Sequence, residues 1–249
     1  MPYFNNQETK LYYISKGQGY PVFFLHGYLG STKTHWRYQF IDPALSSSYH
    51  LIGLDIRGFG RSATETSSLQ KSSMIIQDIR ILLTQVLQLH SNPILVGYSV
   101  GATFALLYSL AFQKNVKALL LLSPMPFFPR EISSRNVNSP RNNNWITKII
   151  LANVWAFVKK GNMIRQSPHI QRYLNSPPTI ITKLKHLQLP ILMVYGKNDT
   201  VINGSGFEML IKYLPSHTKI ISLPTDHGIS HENYNVFNRI LLHFLKEVL

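Results

Sequence analysis

The stretch Ile94-Leu95-Val96-Gly97-Tyr98-Ser99-Val100-Gly101-Ala102 decides the fold. Ile94–Val96 is a short apolar, largely β-branched run that reads as a buried strand, and Val100–Gln113 reads as a helix. Between them Gly97-Tyr98-Ser99-Val100-Gly101 is a G-x-S-x-G turn. A serine displayed on a sharp strand-to-helix turn needs small neighbours two residues to either side, and glycines stand at both places. The helix that begins after Ser99 points its first N–H groups and its positive dipole end at that serine, where they favour a developing oxyanion. A bare G-x-S-x-G arises by chance; the strand before it and the helix after it set this one apart from a plain glycine turn.

Outward from this turn, short apolar runs alternate with longer amphipathic segments, the pattern of a mainly parallel sheet with crossover helices. The expected strands are Leu11–Ile14, Val22–Leu25, Leu51–Leu54, Ile94–Val96, Val116–Leu121, Ile191–Tyr195 and Lys219–Ser222. The expected helices are Lys71–His90, Val100–Gln113, Gly206–Leu214 and Tyr234–Leu249. In Lys71–His90 the residues Met74, Ile75, Ile79, Leu82, Leu83, Val86 and Leu87 recur at three- and four-residue steps, which predicts one core-facing stripe. The alternation fails between Pro124 and Gln188, a proline-rich interval with an Asn-rich piece at Asn136–Asn144 and a helix candidate at Trp145–Lys160. That is too long for an ordinary loop. The chain therefore divides into a core, residues 1–123 and 189–249, and a cap inserted at 124–188.

Two upstream segments add specificity. Phe23-Phe24-Leu25-His26-Gly27-Tyr28-Leu29-Gly30-Ser31 is an apolar strand entering a His-Gly turn, and Asp55-Ile56-Arg57-Gly58-Phe59-Gly60-Arg61-Ser62 follows the next strand. With the G-x-S-x-G turn in the same order and spacing, the chain resembles the α/β-hydrolase superfamily, including small single-domain esterases such as those acting on pimeloyl-acyl carrier protein. The resemblance covers nearly the whole chain except the cap. It implies an α/β fold with a mainly parallel central sheet flanked by helices and a small helical cap after the sixth strand. It also implies Ser99 as nucleophile, with the backbone N–H groups of Tyr28 and Val100 as oxyanion donors. His26 is read as a structural turn histidine, and Asp55 as structural.

The base must be an imidazole held in one tautomer. The family places it after the last strand, often five residues before a glutamate; His227 and Glu232 have that spacing, which leaves His231 as a decoy. His227 and His231 are also spaced like a zinc pair on a helix, but no third ligand is evident and Gly228 argues against a helix there. Asp226 departs from the family, which more often has glycine before the histidine. Only Glu131, Asp199 and Glu208 are acidic between Ser99 and Asp226. Asp199 sits in Gly196-Lys197-Asn198-Asp199 after a strand, which resembles the family's acid turn, so the order Ser99, Asp199, His227 is that of the fold.

Composition bounds the rest. The 249 residues suffice for one large core, and the absence of cysteine excludes disulfides, thiolate nucleophiles and Cys-ligated zinc. No leader-like N-terminus and no apolar run long enough to span a membrane is visible, so a soluble, cytoplasmic protein is expected. Of the net charge of +14, nine charges fall between Met125 and Gln188, where ten Lys and Arg face Glu131 alone. A field of that sign favours anionic partners, and an ester on an acidic acyl carrier protein would suit it. No nucleic-acid recognition motif accompanies the charge. The expected activity is cleavage of a carboxylic ester, on a small molecule or on an acyl carrier, without metal or cofactor. Tyr98 and the cap residue Trp155 are expected to touch substrate. Two alternatives stay open: hydrolysis of a C–C bond in a diketone by the same triad, and a binding protein that has lost turnover.

Overall fold

The structure, a computed structural model, describes residues 2–28, 30–62, 72–125, 183–202 and 204–249. Eight strands form one sheet: β1 (Tyr3–Asn6), β2 (Thr9–Lys16), β3 (Tyr20–Leu25), β4 (Tyr49–Leu54), β5 (Ile94–Tyr98), β6 (Ala118–Leu122), β7 (Ile191–Gly196) and β8 (Lys219–Leu223). Their order is β1-β2-β4-β3-β5-β6-β7-β8. β1 and β2 run antiparallel to their neighbours, and β4 through β8 pair in parallel.

The central strands are apolar throughout because both faces of the sheet are covered. In β3, side-chain alternation sends Phe23 and Leu25 to one core, with Ile79, Leu82 and Phe207, and Val22 and Phe24 to the other, with Trp36, Phe237 and Leu241. The first core lies under α4 (Ser72–Ile81), α5 (Val100–Ala111) and α6 (Gly204–Tyr213). The second lies under α2 (Arg37–Ile41) and α8 (Tyr234–Val248), whose buried Phe237, Leu241, Phe244 and Leu245 follow helical spacing. Short helices α1 (Thr32–His35) and α3 (Pro43–Ser46) flank α2, and α7 (Ile229–Glu232) precedes α8.

All seven expected strands are present. The eighth, β1, was not expected: of Tyr3–Asn6 only Phe4 and Asn6 point inward, too little for a hydrophobic signal. It makes Ala118–Leu122 the sixth strand. The Pro124–Gln188 cap reading, including the Trp145–Lys160 helix, falls almost wholly on residues 126–182, outside the described residues. The single helix expected over Lys71–His90 is instead α4 followed by a wider turn at Leu82–Val86, closed by the bond from Leu87 N–H to the Leu82 carbonyl. The wider turn shifts the helical phase. Val86, assigned to the core-facing stripe, is consequently 37% exposed.

The strand order reverses between β3 and β5: the chain turns from β3 to β4 on one side and crosses to β5 on the other. Ligands of open α/β sheets bind beyond the carboxyl ends of strands at such a switch point. Leu25 pairs with Gly97, so His26-Gly27 and Tyr98-Ser99 leave the sheet side by side there.

Candidate active site

Ser99 is the single residue between β5 and α5, with φ 54° and ψ −119°. A non-glycine residue in such a conformation costs about 1–3 kcal/mol and persists only where its surroundings enforce it. Here the Ser99 N–H donates to the Leu122 carbonyl at 2.9 Å, while its own carbonyl accepts from Ala102 N–H at 3.0 Å and Met125 N–H at 3.2 Å. The two glycines follow from packing. A Cβ on Gly97 would overlap the Ala102 backbone, and one on Gly101 would overlap the carbonyls of Leu25 and His26. Close contact between helix and strands is thus what the motif encodes. Ser99 itself is 5% exposed.

The His-Gly turn lies against this elbow. A Cβ on Gly27 would crowd the Tyr98 ring and come within 3.3 Å of the Ser99 Cβ. His26 is fully buried. Its Nε2 accepts from Ile56 N–H at 2.8 Å, so the proton is on Nδ1, which donates to the Gly27 carbonyl at 2.7 Å. Burial lowers its pKa against the opposing pull of that bond and of Asp55. With both nitrogens engaged, His26 is a turn residue. His35 holds the same loop from beneath: its Nδ1 accepts from Gly27 N–H at 3.2 Å. Burial, followed by the nearby His26, His231 and His227, lowers the His35 pKa to about 3. Tyr28 follows Gly27 directly, its ring edge-on to Phe59 at 5.1 Å and its phenol pushed up to about 12 by burial. Val100 opens α5, where helix geometry gives its N–H no intrahelical acceptor.

The turns that carry Asp199 and His227 leave β7 and β8, which are neighbours in parallel register. Asp199 Oδ1 accepts from Val201 N–H at 2.9 Å and Ile202 N–H at 2.7 Å, and Oδ2 accepts from His227 Nδ1 at 2.6 Å. The Asp199 side chain is 1% exposed and that of His227 13%. Nδ1 therefore carries the proton and Nε2 presents a lone pair, the tautomer a general base requires. Among the described residues Nε2 makes no hydrogen bond, Ser99 included. Contacts of this kind commonly tighten only around bound substrate.

Tyr98 is 4% exposed, with its ring 4.9 Å from that of His35 and 5.1 Å from that of His227; it backs the imidazoles from within. Burial raises its pKa, with Asp199, Glu232 and Asp226 adding to the rise. Trp155 lies outside the described residues. His231 is in α7 while His227 precedes that helix, so the two do not share a helix face. Among the described residues no group of three His, Asp or Glu side chains is placed to hold a metal. Asp55 Oδ1 accepts from Thr32 N–H at 2.7 Å and Oδ2 from Arg61 N–H at 3.0 Å, a structural use. Arg57 turns inward to Asp78, Nε to Oδ2 at 2.7 Å, both side chains buried. Sequence reasoning missed His35, Asp78 and Thr200; no local pattern marks them, since Asp78 and Thr200 act on residues distant in the chain and His35 reaches back across an irregular loop.

Comparison with known proteins agrees with this architecture. The sequence model of the alpha/beta hydrolase fold family matches residues 20–145. A 2-hydroxy-6-oxononadienedioate/2-hydroxy-6-oxononatrienedioate hydrolase of Pseudomonas putida is 24% identical, covering 96% of this chain and 92% of the relative. Among solved structures, a meta-cleavage product hydrolase from Pseudomonas fluorescens IP01 superposes with a TM-score of 0.70 at 19% identity, covering 97% of this chain and 96% of its own. A structure described as a putative aryl esterase from Burkholderia cenocepacia gives a TM-score of 0.72 at 21% identity, covering 99% and 98%. These relatives are hydrolases of different bonds sharing one scaffold. The elbow, the sheet order and the family match together place this chain in the α/β-hydrolase fold family.

Proposed function

We propose that the chain is a serine hydrolase that cleaves a carboxylic ester through an acyl-enzyme, with Ser99, His227 and Asp199 as its triad. The observation that carries this reading is the 2.6 Å bond from His227 Nδ1–H to Asp199, made at the same end of the sheet as a serine held at positive φ at the head of a helix, whose neighbour Tyr98 lies 5.1 Å ring to ring from His227. In the reaction His227 Nε2 takes the Ser99 proton as Oγ attacks the carbonyl carbon. The N–H groups of Tyr28 and Val100 receive the oxyanion. Collapse expels the alcohol, which takes the proton from His227. Water, deprotonated by His227, then attacks the acyl-enzyme and releases the acid and Ser99. Asp199 holds the ring and offsets the charge of the imidazolium.

The test is labelling by a fluorophosphonate, followed by a panel of acyl esters of varied length. An active triad labels at Ser99, and Ser99→Ala abolishes the label; persistence of the label in Ser99→Ala defeats the assignment. Hydrolysis of a C–C bond in a diketone is the second reading, favoured by the 24% identity with the Pseudomonas putida hydrolase over 96% of this chain. A vinylogous 1,5-diketone in the same panel separates the two. An acidic carrier as substrate rests on the basic composition of residues 125–188 alone. Turnover of a carrier-bound ester that falls steeply with salt, while a small neutral ester is indifferent, supports it; equal salt dependence removes it.

A further inference from the structure

The acid turn and the base turn of the proposed triad come from different strands, and their relative placement sets the Asp199–His227 bond. Gly196 brings them together: a Cβ there would overlap the carbonyls of Thr225 and Asp226. Backbone bonds from Lys197 N–H to the Leu223 carbonyl at 2.7 Å and from Asn198 N–H to the Thr225 carbonyl at 3.1 Å register the strand ends. Beyond Asn198, besides the Asp199–His227 bond itself, Asp226 links the two turns. Its Oδ1 accepts from Thr200 N–H at 2.9 Å, from the Thr200 hydroxyl at 3.1 Å and from His227 N–H at 2.7 Å; Oδ2 also lies 3.1 Å from that hydroxyl.

We infer that Asp226 is a positioning residue, whose carboxylate clamps the residue after the proposed acid to the backbone of the proposed base and so fixes the His227 ring against Asp199. This rests on the triad reading above. A single oxygen receives N–H groups from Thr200, the chain neighbour of Asp199, and from His227 itself, so it touches both sides of the Asp199–His227 pair. Burial alone would raise the Asp226 pKa; the Thr200 and His227 backbone bonds, the Thr200 hydroxyl and the His227 charge outweigh it and lower the value, so the group is an ionised acceptor at neutral pH. The residue is exposed and does not fill the core, so its effect falls on the alignment of the imidazole rather than on the fold. Asparagine keeps an Oδ1 acceptor, whereas alanine and glycine do not.

The experiment is the concentration dependence of fluorophosphonate labelling, which gives the maximal rate and the half-saturating concentration separately and needs no natural substrate. With Asp226→Ala the maximal rate is expected to fall about tenfold while half-saturation stays within about twofold, because misplacing a catalytic group costs rate rather than affinity. Asp226→Asn is expected to recover to within about threefold of the parent rate. Thermal midpoints of all variants are measured alongside. A parent protein that labels at Ser99, with an Asp226→Ala variant equally fast, overturns the inference and leaves the triad standing. Asn as slow as Ala overturns it too, since charge rather than the clamp would then be at work. A parent protein that does not label at Ser99 overturns the triad reading, and the inference with it.

Discussion

Two loop clusters edge the carboxyl ends of the sheet, built from the same residue types and put to opposite use. The one after β3 and β4 holds His26, Asp55 and Arg57; the one after β7 and β8 holds Asp199, Asp226 and His227. In the first, the imidazole is bonded through both nitrogens to main chain, both Asp55 oxygens take backbone N–H groups, and Arg57 is paired with Asp78 in the core. In the second, Asp199 and Asp226 are similarly engaged, but among the described residues the His227 ring is bonded through Nδ1 only. Residue identity does not separate a histidine used in a turn from the one proposed as base; the number of ring nitrogens already in use does.

Substitution sharpens this contrast most strongly at the cluster that holds the proposed acid and base. Ser99→Ala or His227→Ala is expected to lower ester turnover by about three orders of magnitude or more with an unchanged thermal midpoint, and Asp199→Asn by about 10⁴-fold through the wrong tautomer. His231→Ala should stay within about tenfold of the parent. If His231→Ala abolishes turnover and His227→Ala does not, the roles of the two histidines are reversed.

The structural cluster responds in stability instead. Asp78→Ala leaves the Arg57 guanidinium buried without its carboxylate and should cost about 3–5 kcal/mol in denaturant unfolding. Replacing both partners with apolar residues should cost less than the single change. A single variant as stable as the parent would mean that water reaches Arg57.

His26 and His35 extend the comparison to pH. Both are held neutral by burial, His35 down to about 3. Below pH 6.5 the unfolded chain takes up these protons before the folded one, so native stability falls as pH drops from 6.5 toward 3. For His35 the slope is at most about 1.4 kcal/mol per pH unit. His35→Phe should flatten that limb in a series of urea melts from pH 7 to 4 and should also slow Ser99 labelling, since Gly27 loses its acceptor. An unchanged slope would place His35 in solvent.

Smallest of all should be Val86→Ser, within about 0.5 kcal/mol, because the wide turn at Leu82–Val86 carries Val86 out of the core. A loss of about 2 kcal/mol would restore the uninterrupted helix that the hydrophobic spacing suggests.

Legibility in the sequence follows from the range of the interaction that fixes each feature. The elbow is legible because Gly97 and Gly101 answer to backbone brought close by one strand and one helix. The central strands are legible because burial on both faces makes them continuously apolar. Helices α1 to α3 are too short to show a period, and β1 contributes one apolar side chain to the core. The Arg57–Asp78 pair and the Asp226–Thr200 bonds depend on approaches between distant segments, and the His35–Gly27 bond closes an eight-residue loop that has no period to read.

The tether at Met125 makes the scaffold modular. Met125 N–H is bonded to the carbonyl of Ser99 and its own carbonyl to the Thr103 hydroxyl, so the chain is anchored at the elbow just where residues 126–182 begin. Strands β6 and β7, which bracket that interval in sequence, pair directly with each other. The sheet therefore asks one thing of whatever joins them: a parallel crossover of about a dozen residues or more. A segment grafted between Met125 and Lys183 from another member of the fold would keep the elbow, Asp199 and His227 unchanged, spliced at two points without redesigning a strand.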